Sequence, residues 1–424
     1  MKETKKPDMS RRRFIKTAAA GTAAVSSFGI MSASAQDERP LKAALIGCGG
    51  RGSGAVIDLH KADANVSLVA MADLFGDKLD ASVERLQKRK VAADNVRRLT
   101  GFDAYKQVLD MDVDIVLLAT PPFFRPEQFA AAVDAGKHVF MEKPVAVDPV
   151  GARLIMETGE KAKQKGLSVV AGTQRRHQRS YIETKKQVDD GVIGEIAATR
   201  AAWCGNPVRY FPREAGWSDM EYQIRSWFNF LWLAGDHILE QHIHNVDVCN
   251  WFVGTHPVKA FGMGARVRRR VGDTYDFFAV DYEYENGVHC DSRCRQIVDC
   301  DRDVSEYVIG AEGIAACHRA EIRDSEGAPV WRYQGPAKPT AKVQEHIDLT
   351  QAIRTEKPVN DAQNVAESTM TAIMGRTSAY TGKVVTWDEI MASDMRLGPE
   401  PPYEMGDLPP TEVQLPGRPW PEEV

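Results

Sequence analysis

The sequence predicts a two-domain α/β protein, in which a parallel sheet precedes an α+β domain built on an open, mostly antiparallel sheet. Three observations predict this fold. The chain has 424 residues, more than a single hydrophobic core usually serves. From Leu41 to Ala171, short apolar strands alternate with longer helical patterns, as in parallel sheets with crossover helices. Beyond residue 173, several strands with alternating apolar residues follow one another, which favours an antiparallel or mixed sheet.

The first 35 residues have the pattern of an export signal. Residues 10–16, SRRRFIK, form a twin-arginine sequence, and a weakly apolar, Ala-rich run from Thr17 to Met31 precedes small residues that end at Ala35. This run is too short and too rich in small residues for a membrane anchor, which needs about 20 strongly apolar residues. We expect cleavage near Ala35, export of the folded protein to the periplasm, and no membrane association afterwards. A disordered basic N-terminus is the alternative.

The composition, with 43% hydrophobic and 27% charged residues, is that of a soluble globular protein. The signal contains seven basic and two acidic side chains, so its removal takes the net charge from −5 to about −10. This negative charge argues against nucleic acid as a partner. The seven cysteines show no metal-ligand spacing, and we expect no metal site. A disulfide among Cys290, Cys294 and Cys300 stays open.

The elements of the first domain follow in order. The predicted strands are Leu41–Ile46, Val66–Ala72, Asp114–Ala119, Lys137–Met141 and Leu167–Ala171, and the predicted helices are Ser53–Lys61, Lys78–Arg89, Pro126–Ala135 and Pro149–Lys165. Between the first strand and the first helix lies Gly47-Cys48-Gly49-Gly50-Arg51-Gly52. In this GxGxxG turn, the glycines allow a tight turn, close approach of a pyrophosphate and close packing of the helix on the strand. Asp73, 21 residues after Gly52, ends the second strand where a ribose-binding acid belongs. The domain is therefore predicted to be a Rossmann domain that binds a nicotinamide dinucleotide.

Asp73 also bears on the choice of cofactor. A carboxylate accepts hydrogen bonds from ribose hydroxyls and repels a 2′-phosphate, and Leu74-Phe75 offers no arginine for that phosphate. The sequence therefore favours NAD over NADP, although Arg51 inside the turn keeps NADP as an alternative.

Two later strands of this domain end in polar motifs. Thr120-Pro121 follows one strand and Glu142-Lys143-Pro144 follows the next. Open α/β sheets bind ligands at the carboxyl ends of their strands, so we expect both motifs to border the cofactor and Lys143 to face the nicotinamide crevice. An ordinary surface lysine is the alternative.

The second domain is predicted to contain the strands Ile196–Trp203, Val258–Arg268, Phe277–Tyr284, Gly287–Arg293 and Val304–Gly310, with helices at Arg179–Gly191 and Gly235–Phe252. On the second helix, Glu240, His244 and Asp247 have the spacing i, i+4 and i+7 and would share one face. Such a polar face favours acid–base chemistry or substrate binding. A zinc site without an HExxH motif and a purely structural cluster are the alternatives.

The order of these motifs resembles the glucose-fructose oxidoreductase, inositol dehydrogenase and rhizopine-catabolism (Gfo/Idh/MocA) family. The resemblance extends from Leu41 to about Ile390 and includes AGTQRR at 171–176, GVIGEI at 191–196 and YTGKVVTW at 380–387. It implies a Rossmann domain joined to an open-sheet domain whose sheet carries homodimer or homotetramer contacts. It also implies C-terminal helices that return to the first domain.

By position, the resemblance places the family's catalytic lysine on Lys143, with an often cis bond to Pro144, and its Asp-x-x-x-His pair on Glu240 and His244. Glu240 in place of aspartate is a departure. The implied reaction is hydride transfer between the nicotinamide and a sugar or cyclitol carbon, with His244 as general base or acid. Because the twin-arginine route carries folded proteins, we expect the cofactor to be tightly held. An NAD-dependent glycosidase that oxidises only transiently is the alternative, and a non-catalytic sugar-binding protein is a third.

Further residues are predicted to reach the substrate. Gln174, Arg175, Arg176 and His177 follow the last Rossmann strand, although the two arginines could be ordinary surface charges. An aromatic-rich stretch extends from Trp203 to Trp232, in which Trp227 and Trp232 lie nearest the predicted catalytic helix, although a core or subunit contact would explain most of these rings.

The predicted organisation is a signal at 1–35, a Rossmann domain at 36–172, an α+β substrate and oligomerisation domain at 173–341, C-terminal helices at 342–395 and a Pro-rich tail at 396–424.

Overall fold

The computed structural model describes residues 39–207, 211–418 and 420. The predicted export signal lies outside these residues. Within them, no helix combines the length and apolarity that a membrane crossing requires. Their cysteines are free: Cys290 and Cys294 are buried and Cys300 is exposed, so no disulfide joins these three.

The first sheet has six parallel strands. They are β1 (Leu41–Ile46), β2 (Val66–Asp73), β3 (Arg97–Thr100), β4 (Ile115–Leu118), β5 (His138–Met141) and β6 (Val169–Ala171), in the order β3-β2-β1-β4-β5-β6. The crossover helices are α1 (Gly50–Ala62), α2 (Gly76–Lys88), α3 (Ala104–Leu109), α4 (Arg125–Asp134) and α5 (Pro149–Gln164). The strand order reverses between β1 and β4, so the ends of these two strands border the crevice where such sheets bind ligands.

The second sheet has nine strands. They are β7 (Ile196–Gly205), β8 (Lys259–Ala265), β9 (Phe277–Glu283), β10 (His289–Gln296), β11 (Asp303–Gly310), β12 (Gly313–Ala316), β13 (Glu321–Asp324), β14 (Pro329–Arg332) and β15 (Val385–Thr386). Their order is β14-β13-β12-β11-β7-β10-β9-β8-β15. Strands β7 and β10 are parallel, while the other described neighbours are antiparallel. This arrangement confirms the predicted fold class.

The remaining helices follow β6, and some of them pack on the second sheet while others pack on the first domain. They are α6 (Arg179–Asp189), α7 (Asp219–Arg225), α8 (Leu231–Ala234), α9 (His237–Glu240), α10 (Ile243–Val253), α11 (Ala341–Arg354), α12 (Ala362–Thr381) and α13 (Trp387–Ala392). Helix α11 packs on α1 and β6, and α12 packs between α5 and β8. At the end of α11, Arg354 Nε donates to Asp63 Oδ2 at 2.6 Å, which places this end of the helix beside the last turn of α1. The first turn of α11 therefore lies toward the glycine turn.

The predicted single helix Gly235–Phe252 is wrong, because two helices replace it. Helix α9 ends at Glu240, and α10 begins at Ile243. The two residues between them are bound to β10: Gln241 Oε1 accepts from the Gln296 side chain at 2.8 Å, and His242 Nε2 lies 2.8 Å from Ser292 Oγ. The interruption means that Glu240 does not share a helix face with His244 and Asp247, contrary to the i, i+4, i+7 prediction.

A buried carboxylate fixes the start of this interrupted segment. Asp236 has a φ of +75°, a conformation that few residues other than glycine adopt, and its side chain is fully buried. Asp236 Oδ1 accepts from His237 N at 2.5 Å, and Oδ2 accepts from Tyr275 N at 2.7 Å and Tyr380 Oη at 2.6 Å. Burial raises the pKa of Asp236 despite these donors. One side chain thus joins α9, the residues before β9, and α12.

The tail after α13 contains no helix or strand within residues 396–418, yet it is tied to both domains. Leu397 N donates to Asp148 Oδ2 at 3.0 Å, and Gly406 O accepts from Met220 N at 3.0 Å. Farther on, Gln414 O accepts from Tyr275 Oη at 2.7 Å. The tail therefore forms a strap across the surface.

Tyr380→Phe should lower the free energy of unfolding by about 1–2 kcal/mol, because it removes one donor from a buried carboxylate and adds no bulk. Urea denaturation measures the change. Tyr333→Phe is the matched control, since its hydroxyl donates to Pro336 O at an exposed position, and should cost less than about 0.5 kcal/mol. Equal losses in both variants would contradict the role given to Asp236.

Candidate active site

The glycine turn after β1 can be formed only by glycine at two of its positions. Gly47 has a φ of +94°, and a Cβ there would lie 2.5 Å from the backbone of Ala119 and Thr120. A Cβ on Gly52 would lie 2.0 Å from Gly47 O. At Gly49 and Gly50, by contrast, a Cβ would meet no atom within 4 Å. The turn is therefore tight toward β4 and open where it begins α1, so a phosphate can approach the free N–H groups of that helix.

A cavity of about 410 Å³ opens beside this turn. Its walls come from the ends of β1, β2 and β4 and from the segment around α7, and they include Gly47, Gly49, Gly50, Asp73, Phe75, Lys78, Arg85, Thr120, Pro121, Arg225, Trp227 and Phe228. The volume is within the range of small-molecule sites. Gly47, Gly49 and Gly50 of the predicted turn thus line one cavity together with Asp73 and Thr120-Pro121, whereas Arg51 and Gly52 are not part of its lining.

Asp73 is oriented by the backbone on both sides of it. Its Oδ2 accepts from Cys48 N at 2.7 Å, and its Oδ1 accepts from Phe75 N at 3.0 Å. Burial raises the pKa of Asp73, opposed by these two hydrogen bonds. Lys78 and Arg85 also line this cavity. Neither was predicted from the sequence, because only the two residues after Asp73 were taken to bear on the choice of cofactor. Arg85 Nη1 donates to Ser53 Oγ at 2.8 Å.

Lys143 and Glu240 meet between the two sheets. The Lys143 ammonium donates to the Glu240 carbonyl oxygen and lies 3.4 Å from Glu240 Oε1, and each side chain is only 12% exposed. The bond between Lys143 and Pro144 is cis, as the resemblance implied. Burial raises the pKa of Glu240, opposed by the Lys143 charge. Glutamate in place of aspartate thus still reaches this lysine.

His244, in the first turn of α10, is buried beside the same lysine. Its ring stacks on that of Trp203, with centroids 5.9 Å apart and planes at 27°. Burial lowers the pKa of His244 well below its usual value, and the charges of Lys143, Arg175, Lys342 and Arg51 lower it further. The imidazole is therefore neutral near pH 7 and available as a base.

Arg125, which the sequence argument missed, joins the two predicted strand-end motifs. It begins α4 and is fully enclosed, and its guanidinium donates to Thr120 O and Pro144 O. Burial lowers the pKa of Arg125 to about 10. Its sequence signal is weak, because an arginine in the first turn of a helix is usually exposed. These two hydrogen bonds hold Thr120-Pro121, at the wall of the cofactor cavity, close to the loop that carries Lys143.

Arg51 and Glu142, both predicted to bind the cofactor, are paired with each other. Arg51 Nε donates to Glu142 Oε1, and Arg51 Nη2 lies 3.9 Å from Glu345 Oε2 on α11. Although burial opposes ionisation, Arg51 and Lys143 hold the pKa of Glu142 below its usual value. This ion pair connects the glycine turn to the residue before Lys143.

The predicted substrate residues at 174–177 form a short 3-10 turn, and three of them have carboxylate partners. Arg175 Nη1 lies 2.5 Å from Glu306 Oε1, and Arg176 Nε donates to Asp247 at 3.0 Å. His177 Nδ1 lies 2.6 Å from Asp348 Oδ2. Although burial opposes its charge, Asp348 and Asp361 raise the pKa of His177 to about 10. Contact with substrate stays a prediction for Gln174 and for these three residues.

The prediction that Asp247 binds the substrate needs correction, whereas substrate contact stays a prediction for Trp227. Asp247 is 1% exposed and its oxygens accept from Arg176 and Ser368, so it braces α10 instead of facing a cleft. Trp227 lies on the wall of the cofactor cavity, stacked on Phe228 with centroids 3.7 Å apart. Trp232 is buried and donates to Gln223 at 2.5 Å.

Two protein-family models match the chain. The model of an oxidoreductase family with an NAD-binding Rossmann fold, Gfo/Idh/MocA, matches residues 41–172. The model of the Gfo/Idh/MocA C-terminal domain matches residues 181–316, so the two together cover more than half of the chain. The first match confirms NAD as the cofactor of the Rossmann domain.

Individual proteins are more distant. The scyllo-inositol 2-dehydrogenase (NAD(+)) of Bacillus subtilis (strain 168) is 24% identical over 234 residues, which are 53% of this chain and 62% of that relative, less than two thirds of its length. A structure of scyllo-inositol dehydrogenase from Lactobacillus casei with NAD(H) and scyllo-inositol has a TM-score of 0.62 at 20% identity, covering 82% of this chain and 99% of that one. Levoglucosan dehydrogenase with NADH and levoglucosan has a TM-score of 0.65 at 16% identity, with the same coverages. These two structures show a shared fold.

Asp73→Ser should weaken NADH binding by about tenfold or more, because the ribose hydroxyls lose a charged acceptor. The ratio of NADPH to NADH affinity should rise, since the charge that repels a 2′-phosphate is gone. Fluorescence titration of the reduced cofactors measures both. Asp80→Ser is the matched control, because Asp80 lies exposed on α2 and pairs with Arg98. An unchanged NADH affinity in Asp73→Ser would refute the assignment.

Proposed function

Because this chain belongs to the Gfo/Idh/MocA oxidoreductase family, we propose that it is an NAD(H)-dependent oxidoreductase that acts on a sugar or cyclitol hydroxyl or ketone. The observation that carries the proposal is the buried pair of Lys143 and Glu240, with His244 buried within reach of the Lys143 charge. Arg125 connects the cavity wall at Thr120 directly to the loop of Lys143. The inositol and levoglucosan dehydrogenases to which the chain is similar support this substrate class.

In the proposed mechanism, the bound NAD supplies the hydride acceptor. His244 takes the hydroxyl proton, for which its neutral imidazole is suited. The Lys143 ammonium polarises the substrate oxygen, and its charge helps to keep His244 neutral before the proton is transferred. Glu240 holds that ammonium through both its carbonyl and its carboxylate. In the reverse direction, His244 returns the proton to the oxygen.

His244→Ala should lower kcat for oxidation by about 100-fold or more while NADH affinity is kept, because it removes the base and leaves the cofactor cavity intact. Lys143→Met should act similarly. The assay follows absorbance of reduced cofactor with purified protein, NAD and a panel of cyclitols and sugars. His289→Ala is the control, since His289 is exposed on β10 beside Asp281. If both site variants keep near-normal turnover, the mechanism is wrong.

The same enzyme should show an acid limb in kcat/KM only below about pH 6.5, the usual pKa of histidine. Because the pKa of His244 is lowered, its imidazole is neutral and can act as a base at any pH above that pKa, and activity is lost only as the pH falls through it. A limb centred above pH 7 would contradict the role of His244.

Aryl glycosides in the same panel test the glycosidase alternative, which predicts released aglycone without net reduced cofactor.

We also propose that the protein is exported in folded form to the periplasm with its cofactor tightly bound, and that it forms a homodimer or homotetramer. The twin-arginine sequence at residues 10–16 supports export. Exposed apolar side chains on β8, Phe261 and Met263, support association through the second sheet.

Replacing Arg11 and Arg12 together by lysine should leave the protein in the cytoplasm, because the twin-arginine pair is the recognised part of such a signal. Cell fractionation and immunoblotting measure its location, and Lys5→Arg with Lys6→Arg is the control. Unchanged export of the Arg11/Arg12 variant would exclude this route. The spectrum of the exported protein reports whether nicotinamide cofactor travels with it.

A further inference from the structure

A second cavity, of about 290 Å³, lies at the end of the nine-stranded sheet. The loop between β8 and β9 forms one wall, and the ends of β7 and β10 form another. Its lining includes Asn229, Arg268, Arg269, Arg270, Asp276 and Gln296. The volume is close to the lower end of the range for small-molecule sites, about 300 Å³.

The charge of this cavity is strongly positive. Three successive arginines line it, against one carboxylate, that of Asp276. Arg268 and Arg270 are exposed, and neither has an ion-pair partner within residues 39–207 and 211–418. Asp276 is already occupied, since its Oδ2 accepts from the backbone N–H groups of residues 267, 268 and 269. The two exposed guanidinium groups are therefore not neutralised.

The third arginine forms the floor of the cavity. The side chain of Arg269 is 7% exposed, and its Nε lies 3.7 Å from Asp276 Oδ1. Its Nη1 donates to Asn229 Oδ1 at 3.3 Å, and its Nη2 donates to Gln296 Oε1 at 2.6 Å. Amide oxygens carry no charge, so these bonds orient the guanidinium without cancelling its charge.

Hydrogen bonds connect this floor to the interruption between α9 and α10. Gln296 accepts from Arg269 and donates through Nε2 to Gln241 Oε1 at 2.8 Å. Gln241 follows Glu240 directly, in the interruption between α9 and α10. The side chains of Gln296 and Gln241 thus connect Arg269 to the residue next to Glu240.

We propose that this cavity binds an oxyanion group, a carboxylate, sulfate ester or phosphate ester, on the saccharide that is oxidised at His244. The inference rests on the proposed function and narrows its substrate class to acidic sugars. Guanidinium groups match planar and tetrahedral oxyanions through paired N–H donors, and two of the three here, those of Arg268 and Arg270, have no carboxylate partner in the described residues, which favours an anionic ligand. The cavity is large enough to take part of the sugar together with its oxyanion.

The test compares acidic and neutral sugars in the protein with Arg268→Gln and Arg270→Gln combined. The substrates are D-glucuronate, D-glucose 6-sulfate, D-glucose 6-phosphate and D-glucose. The ratio of kcat/KM for the best acidic sugar to that for glucose should fall at least tenfold in the double variant and be restored by lysine at both positions. The control combines Arg89→Gln with Arg97→Gln, two exposed arginines of the Rossmann domain, and should keep the ratio.

Calorimetric titration of the purified protein with the same sugars tests the cavity without turnover. The proposal expects one of the acidic sugars to bind more tightly than glucose, with at least tenfold weaker binding in the Arg268/Arg270 variant. It is overturned if the ratio and the binding are unchanged in that variant, if glucose equals the acidic sugars, or if sodium sulfate alone binds as well as they do. Failure of cofactor reduction with every sugar, with variant-sensitive binding retained, would overturn the proposed function but leave the cavity assignment standing. The three acidic probes distinguish carboxylate, sulfate and phosphate.

Discussion

The contact between Lys143 and Glu240 joins the two sheets, and the arrangement of the site depends on it. Lys143 follows β5 of the first sheet, whereas Glu240 ends α9 over the second. Burying two charges costs free energy unless each is closely paired, so this largely enclosed pair opposes any shift of one domain past the other. Arg125 ties the loop of Lys143 to the cofactor cavity, and Asp236 fixes the other end of α9. The reacting groups are thus held from both sides.

The electrostatics of the site follow a consistent pattern. Cations surround His244, and the carboxylates that pair with them, Glu240 and Glu306, lie within hydrogen-bonding or ion-pair reach. The cations therefore lose little by burial, while the imidazole between them is held in its neutral form. These cations and the burial favour the neutral imidazole before the reaction, which is the form that a general base must have.

Much of this arrangement could be predicted from sequence because it depends on local patterns. The glycine turn, Asp73 and Lys143 stand at strand ends, and the alternation of strands and helices places strand ends at one edge. The interruption after Glu240 could not be predicted, because it arises from Gln241 and His242 bonding to a strand about 50 residues later. The role of Arg125 could not be predicted for a different reason, because its acceptors are backbone carbonyls, which carry no sequence signal. Strands β12 to β15 are too short for periodicity to identify them.

The strap formed by the tail bears on when the protein can finish folding. Leu397 binds Asp148, 249 residues earlier in the chain, and Gly406 binds the start of α7. Such contacts between distant segments close large loops and form late. Until residues 397–414 have left the ribosome, Asp148 and Tyr275 lack these partners, so the two domains reach their final structure only after the tail has been synthesised. A truncated or stalled chain would consequently expose the surface that the strap covers.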